Sequence, residues 1–505
     1  MLKINRSLLI VSLLFIYACA TTQEVTQNQF LQQNSSNEEW LNLDTVKAGK
    51  FDTGKMWTFE HAPIDYWQKT YGFKADEDWL LDVQMSTLKF ASWCTASFVS
   101  EDGLIMTNHH CIDFVSSLIQ EQGENIAENG FYAETLEDER KIANVYVDQL
   151  VIAEDVSDQI LEAYELGKTD HEKQKNKNDA ISALEKQYSE ETGLNCTVTE
   201  LYNGGSYSMY CYRRYTDVRV VYFNPRSVGL YGGDPDNFTY PRYNADFAFL
   251  RVYDETGKPL KTENYFKWSL EGAQLEEPLF VVGNPGSTQR LQTVSQLEFM
   301  RDFTFRNTSF LLNEYLVKLY YLMNKFPEKA EVYEGTAFFV SNSAKVYREY
   351  LAGLRNPYFI QRKKVFEDEF VSKVNSNPGL KSRFGHIWRA IDESNQQLRK
   401  TAAEYSAFTL SNQTKPGYFN MADALLNLAD QLAKPESERD EQYKGESLQS
   451  TIETIWPDNF DEDLEKVKLV LAIDFMELNL GTDNRWVKLL KNGKSSEDAV
   501  NELLS

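Results

Sequence analysis

Gly103-Leu104-Ile105-Met106-Thr107-Asn108-His109-His110-Cys111 is an apolar, strand-like run that passes straight into two histidines and a cysteine. A turn signal at Asp102-Gly103 separates it from a second such run, Ala96 to Ser100, so the two read as a β-hairpin. A strand that delivers an imidazole beside a cross-linked cysteine holds that ring in fixed geometry, which a general base requires. His110 is the candidate base. Zinc is disfavoured, because ligands this close along an extended chain point to opposite faces and no His-Glu-x-x-His spacing occurs.

Outward from this hairpin, further runs at Val145 to Ile152, Val218 to Tyr222 and Phe247 to Tyr253 make the stretch from about Lys55 to Arg290 mostly β. Two charged segments interrupt it, Glu121 to Lys141 and Asp155 to Glu191, and both read as surface excursions, the second with helical spacing. From about Val294 the period is helical, as in Met421, Leu425, Leu428, Leu432 and in Leu464, Val467, Leu471, Phe475, Leu478. Pro327, Pro357, Pro378, Pro416, Pro435 and Pro457 punctuate that half at intervals suited to helix boundaries.

A chain of 505 residues is expected to form two or three domains. Its 52 Lys+Arg against 76 Asp+Glu leave a net charge of −24, which repels phosphate backbones and excludes nucleic acid as a natural partner. With 42% hydrophobic and 13% aromatic residues, disordered and fibrous classes are excluded as well.

Lys3 and Arg6 precede an apolar run from Leu8 to Ala18 that is short for a bilayer span, the pattern of a signal peptide over residues 1–20, followed by a linker over 21–45. Ala18-Cys19-Ala20 fits a cleavage site, whereas Ile16-Tyr17-Ala18-Cys19 partly fits a lipoprotein signal that would lipidate Cys19; both stay open. Either way the protein is expected to be exported, to the periplasm or cell envelope, where thiols pair. Four cysteines then remain. An Asn203-Gly204 turn midway between Cys196 and Cys211 sets those two opposite each other across a hairpin, which leaves Cys94 to pair with Cys111.

A second segment supports the base. In Gly232-Gly-Asp234-Pro-Asp236-Asn237-Phe238-Thr-Tyr-Pro-Arg242-Tyr-Asn-Ala-Asp246, an Asp stands immediately before the apolar strand Phe247 to Tyr253. An Asp so placed can orient a His through its Nδ1–H, and Asp246 fits that role. A calcium loop is disfavoured, since Phe238 breaks the required pattern and the distal Glu is missing.

In these residues the chain resembles the bacterial serine dipeptidyl-peptidases of the seven and eleven type. Four segments agree in order: Gly54-Lys-Met56-Trp57, Thr107-Asn-His-His-Cys111, Gly232-Gly-Asp-x-Asp-Asn237 with Asp246, and Gly283-Asn-Pro-Gly286. The resemblance implies an α+β multidomain protein: a chymotrypsin-like β-barrel catalytic region over 46–290, then an inserted all-α domain over 291–505 that in the family covers the cleft. It also implies His110 as general base, Asp246 as its orienter, and Asn237 with Phe238 at the free α-amine of the substrate. The family usually has Trp where this chain has Phe238, so an indole N–H donor is lost. The resemblance implies dipeptide release from free peptide N-termini, with no metal or organic cofactor; a lipid anchor through Cys19 and a homodimer stay open.

The nucleophile of that family sits in Gly-Asn-Ser-Gly-Ser-Pro, and no such segment occurs here. Ser206, Ser287 and Ser447 lack its context and read as turn or surface hydroxyls. The chain is therefore expected to be C-terminally incomplete, lacking the second barrel and inactive alone. The alternative is an exported peptide-binding protein or pseudoenzyme derived from such a peptidase.

Overall fold

Among the residues that the computed structural model describes, 42–229 and 244–505, ten strands form one sheet: β1 (Thr87–Phe90), β2 (Cys94–Phe98), β3 (Leu104–Thr107), β4 (Phe131–Tyr132), β5 (Arg140–Lys141), β6 (Val147–Asp155), β7 (Asn195–Leu201), β8 (Ser206–Tyr215), β9 (Asp217–Phe223) and β10 (Ala248–Tyr253). Every pairing is antiparallel, in the order β4-β9-β10-β3-β2-β1-β6-β8-β7, with β5 also on β9. Period-two burial explains the strands. In β3, Ile105 and Thr107 turn inward between the half-buried Leu104 and Met106. Leu88, Phe98, Ile105, Val220 and Leu250 meet in one core, each contributing roughly 1.5–3 kcal/mol on burial.

The turn between β2 and β3 depends on Gly103. Its φ is +68°, and a Cβ there would come within 2.8 Å of the Val252 carbonyl and 2.9 Å of the Leu260 carbonyl, so only glycine fits. At the other end of the sheet β7 and β8 pair with Cys196 directly opposite Cys211, and the two form a disulfide. The hairpin is centred on Asn203-Gly204 but turns over four residues rather than two, because the last ladder pair is Leu201 with Ser206. Tyr202, Asn203 and Gly204 all take positive φ there.

The two charged segments differ in what they do. Asp155 to Glu191 forms helices α1 (Ser157–Glu165) and α2 (Asp170–Thr192), the second with no fully buried residue. Glu121 to Lys141 is more than an excursion: it lays β4 and β5 against β9 and buries Glu139. Arg251 Nε donates to Glu139 Oε1 at 2.9 Å and the Tyr253 hydroxyl to Oε2 at 2.7 Å. A buried carboxylate paired in this way fastens a charged segment that periodicity alone assigns to solvent.

The described residues divide by their contacts into two units, Thr53–Leu291, and Gln292–Ser505 with 42–52. In the second unit α3 (Phe305–Lys325), α4 (Ala330–Arg355) and α6 (Glu462–Leu480) share a core that includes Leu319, Tyr333, Val340, Leu471 and Phe475. Between α4 and α6 in sequence, α5 (Gly417–Leu432) carries the Met421 stripe, where Met421 is buried but Leu425 and Leu432 are exposed. Pro357 and Pro378 open helices at their first position, and Pro416 directly precedes α5, where a missing N–H costs nothing. No described helix is long and apolar enough to cross a membrane.

Candidate functional site

β3 pairs with β10 from Thr107 opposite Ala248, so the residues just past Thr107 meet those just before Ala248. A short 3₁₀ turn, His109–Cys111, follows Asn108 there. It aims His110 at Asp246, 136 positions away. His110 Nδ1 lies 2.8 Å from Asp246 Oδ2, and the His110 backbone N–H donates to Oδ1 at 3.0 Å. Asn108 Nδ2 adds a third donor, 3.2 Å from Oδ2, and also reaches the Asp246 carbonyl at 3.1 Å.

A carboxylate only accepts, so His110 carries a proton on Nδ1, and in its neutral form the lone pair is on Nε2. That is the tautomer a general base needs. The side chain of His110 is 32% exposed and that of Asp246 15%, so the carboxylate is inside and the ring faces outward.

The turn is braced on its other side. Cys111 is joined to Cys94, the first residue of β2, with Cα atoms 6.1 Å apart. Trp93 Nε1 donates to the Cys111 carbonyl at 3.2 Å, and Thr107 Oγ1 to the Thr95 carbonyl at 2.9 Å. Cys94, His110 and Cys111 are clustered closely enough to suggest a metal site. Both sulfurs are spent in the disulfide, however, and a metal needs thiolates.

Of the sequence candidates, His110 and Asp246 are brought together, and both cysteine pairs are bonded. Asn237 and Phe238 lie outside the described residues, as do Cys19 and the signal segment. Gly54-Lys-Met-Trp57 and Gly283-Asn-Pro-Gly286 belong to the same unit as His110. Arg290 Nη1 donates to the Met56 carbonyl at 3.2 Å, and the Asn284 N–H to Thr95 Oγ1 at 2.8 Å.

Ser206 is buried at the start of β8, not a surface hydroxyl, with its Oγ 3.3 Å from Ser157 Oγ. Ser287 is exposed in a loop, and Ser447 stands in a helix of the other unit. Asn108, which no motif in the sequence marks as functional, holds the Asp246 carboxylate beside His110. Its place beside the histidines was the available signal.

Fold and site thus define an α+β protein with an imidazole–carboxylate pair mounted where two antiparallel strands meet. The chain belongs to the peptidase S46 family, whose model matches residues 51–505. It is 29% identical over 383 residues to an Asp/Glu-specific dipeptidyl-peptidase of Shewanella putrefaciens, covering 73% of this chain and 51% of that one. To a dipeptidyl-peptidase 7 of Capnocytophaga gingivalis it is 31% identical over 213 residues, 40% of this chain and 30% of the relative. The chain spans about half the length of the Shewanella relative and under a third of the Capnocytophaga one. The crystal structure of Porphyromonas endodontalis DPP11 superposes with a TM-score of 0.67 at 17% identity, over 91% of this chain and 67% of that one, a likeness of fold. Crystals of that protein hold the dipeptides Arg-Glu and Arg-Asp.

Proposed function

We propose that this chain carries the base and its orienter of a serine-type dipeptidyl-peptidase that releases dipeptides from free peptide N-termini. The observation that carries the reading is the 2.8 Å contact between His110 Nδ1 and Asp246 Oδ2, held between a strand end and a disulfide. Family membership and relatives named as dipeptidyl-peptidases support the reaction class.

In this reading six strands, β9-β10-β3-β2-β1-β6, are the first barrel of a chymotrypsin-like catalytic region over 46–290, and 291–505 is the inserted helical domain. His110 Nε2 takes the proton from a serine hydroxyl as it attacks the second peptide bond, then returns it to the leaving amine. Asp246 holds the ring and offsets the charge it gains. These 505 residues contain no Gly-Asn-Ser-Gly-Ser-Pro segment, and His110, Asp246 and Asn237 supply the base, its orienter and the amine anchor, not the serine or its oxyanion-hole amides. Asn237, with Phe238 as an aromatic wall, anchors the substrate ammonium, and a charge held at a fixed distance from the nucleophile measures two residues. Lys3, Arg6 and the run to Ala18 support export to the periplasm or cell envelope.

The test is peptide cleavage by the product of the whole gene. Dipeptide release from a free peptide, none from its N-acetylated form, and loss of release in His110→Ala are expected. Equal cleavage of the acetylated peptide refutes the dipeptidyl assignment. Tight peptide binding without turnover supports the peptide-binding alternative.

A further inference from the structure

Behind the His110–Asp246 pair stands a buried residue that touches neighbours of both partners, the backbone beside Asp246 and the side chain beside His110. β9 ends at Phe223, and Asn224 follows, 4% exposed, before Pro225 closes the strand. Asn224 Nδ2 donates to the carbonyls of Ala245 at 2.7 Å and Phe247 at 3.0 Å, the residues on either side of Asp246. Its Oδ1 accepts from the Tyr222 hydroxyl at 2.7 Å. Its backbone carbonyl lies 3.0 Å from Nε2 of His109, the residue before His110.

His109 is wholly buried. Its ring stacks on Phe223 with centroids 4.3 Å apart, and a Cβ at Gly229 would collide with it. A carbonyl only accepts, so His109 carries its proton on Nε2. Nδ1 then has no partner among the described residues. Burial lowers the proton affinity of this ring, which keeps it neutral and the bond to Asn224 in place.

We propose that Asn224 is the positioning residue of the His110–Asp246 pair, gripping the chain on both sides of Asp246 with its carboxamide and the chain before His110, through His109, with its carbonyl. The inference rests on the reading of that pair as base and orienter. Strand register brings the two segments together, and the donors of Asn108 and His110 hold the carboxylate itself, but the path of the backbone at 245–247, which sets where the Asp246 side chain starts, lies before the first ladder pair at Ala248. Two donors on the flanking carbonyls fix that path, and the Tyr222 hydroxyl fixes the carboxamide. A fully satisfied buried amide of this kind enforces a single arrangement.

The tautomer of His110 reads this out without any nucleophile. The chain has five histidines, so imidazole ¹⁵N shifts of the ¹⁵N-His-labelled 505-residue protein can be assigned by substitution. Neutral His110 is expected as the Nδ1–H form, and Asp246→Asn should abolish that preference. Asn224→Ala should lower the Nδ1–H to Nε2–H ratio of His110 roughly tenfold, the scale of one lost hydrogen bond, while the disulfides stay formed. Tyr222→Phe and His109→Phe, which keep the aromatic packing, should each lower it by a smaller factor.

If Asp246→Asn shifts the tautomer and none of these three variants does, Asn224 is structural only and the proposal is overturned. If His110 shows no Nδ1–H preference in the unaltered chain, it is the reading of the pair that fails. Should Asn224→Ala not fold, Tyr222→Phe and His109→Phe decide: no change in either refutes the proposal.

Discussion

Removing the bridge next to His110 should separate stability from site geometry. Cys94 and Cys111 are 17 residues apart in sequence, and a cross-link closing a loop of that size restricts the unfolded chain by about 3 kcal/mol. Cys94→Ala/Cys111→Ala should therefore lower the melting temperature of the Thr53–Leu291 unit by roughly 6–12 °C, at about 2–4 °C per kcal/mol for a body of this size. Cys196 and Cys211 are 15 apart, so Cys196→Ala/Cys211→Ala should cost about the same 3 kcal/mol. The two variants differ in what else they release. Only the first frees the turn that carries His110, so only it should disturb the His110 tautomer. Calorimetry with ¹⁵N-imidazole spectra of both variants is the assay. If both lose the same stability and both keep His110 in the Nδ1–H form, strand pairing alone orients the ring and the bracing role is refuted. If the first costs under about 1 kcal/mol while the second costs about 3, the loop-closure reasoning itself is wrong.

Glu139→Ala should destabilise the same unit by roughly 3–5 kcal/mol in urea titration, because it removes a buried carboxylate and leaves the half-buried Arg251 guanidinium with only the Asp102 carbonyl; Glu139→Gln, which keeps an acceptor, should cost less. Burial holds His109 below the usual imidazole range. Above about pH 6.5 the ring is neutral folded or unfolded. As pH falls below that value the unfolded chain takes up a proton that the folded unit refuses, and stability drops by up to about 1.4 kcal/mol per pH unit until the folded ring titrates. His109→Phe should remove that slope from urea midpoints measured between about pH 7.5 and 5. In the product of the whole gene, Asp246→Asn should lower kcat by about 10⁴ by leaving His110 in the wrong tautomer; a loss confined to KM would count against the orienting role.

Much of this was legible because it is local. The apolar runs Leu104–Thr107 and Val218–Tyr222, the Asp102-Gly103 turn, and prolines ahead of helices act over a few residues. The Asn203-Gly204 centre set the register of β7 on β8 even though the turn spans four residues, since both geometries share one midpoint and bring Cys196 opposite Cys211. Two things were not legible. Glu139 sits in a segment whose charge argues for solvent, and its burial rests on Arg251 and Tyr253, more than a hundred positions on. Asn224 looks like a strand-end residue before a proline, and nothing nearby in sequence says that its amide grips Ala245 and Phe247.

By itself the sequence determined where the main strands and the C-terminal helices lie, one hairpin register, the cysteine partners and the two residues worth testing as base and orienter; the stretch it assigned mostly to strands also holds seven α-helices among the described residues, Glu77–Ser86 and Asp170–Thr192 among them. Local propensity, turn chemistry and periodicity are properties of neighbouring residues and survive being read in one dimension. Only the tertiary structure decided that His110 and Asp246 meet at 2.8 Å, which tautomer results, and which residue stands behind them. Those depend on the antiparallel docking of β3 on β10, a long-range pairing whose register comes from side chains packed across the core.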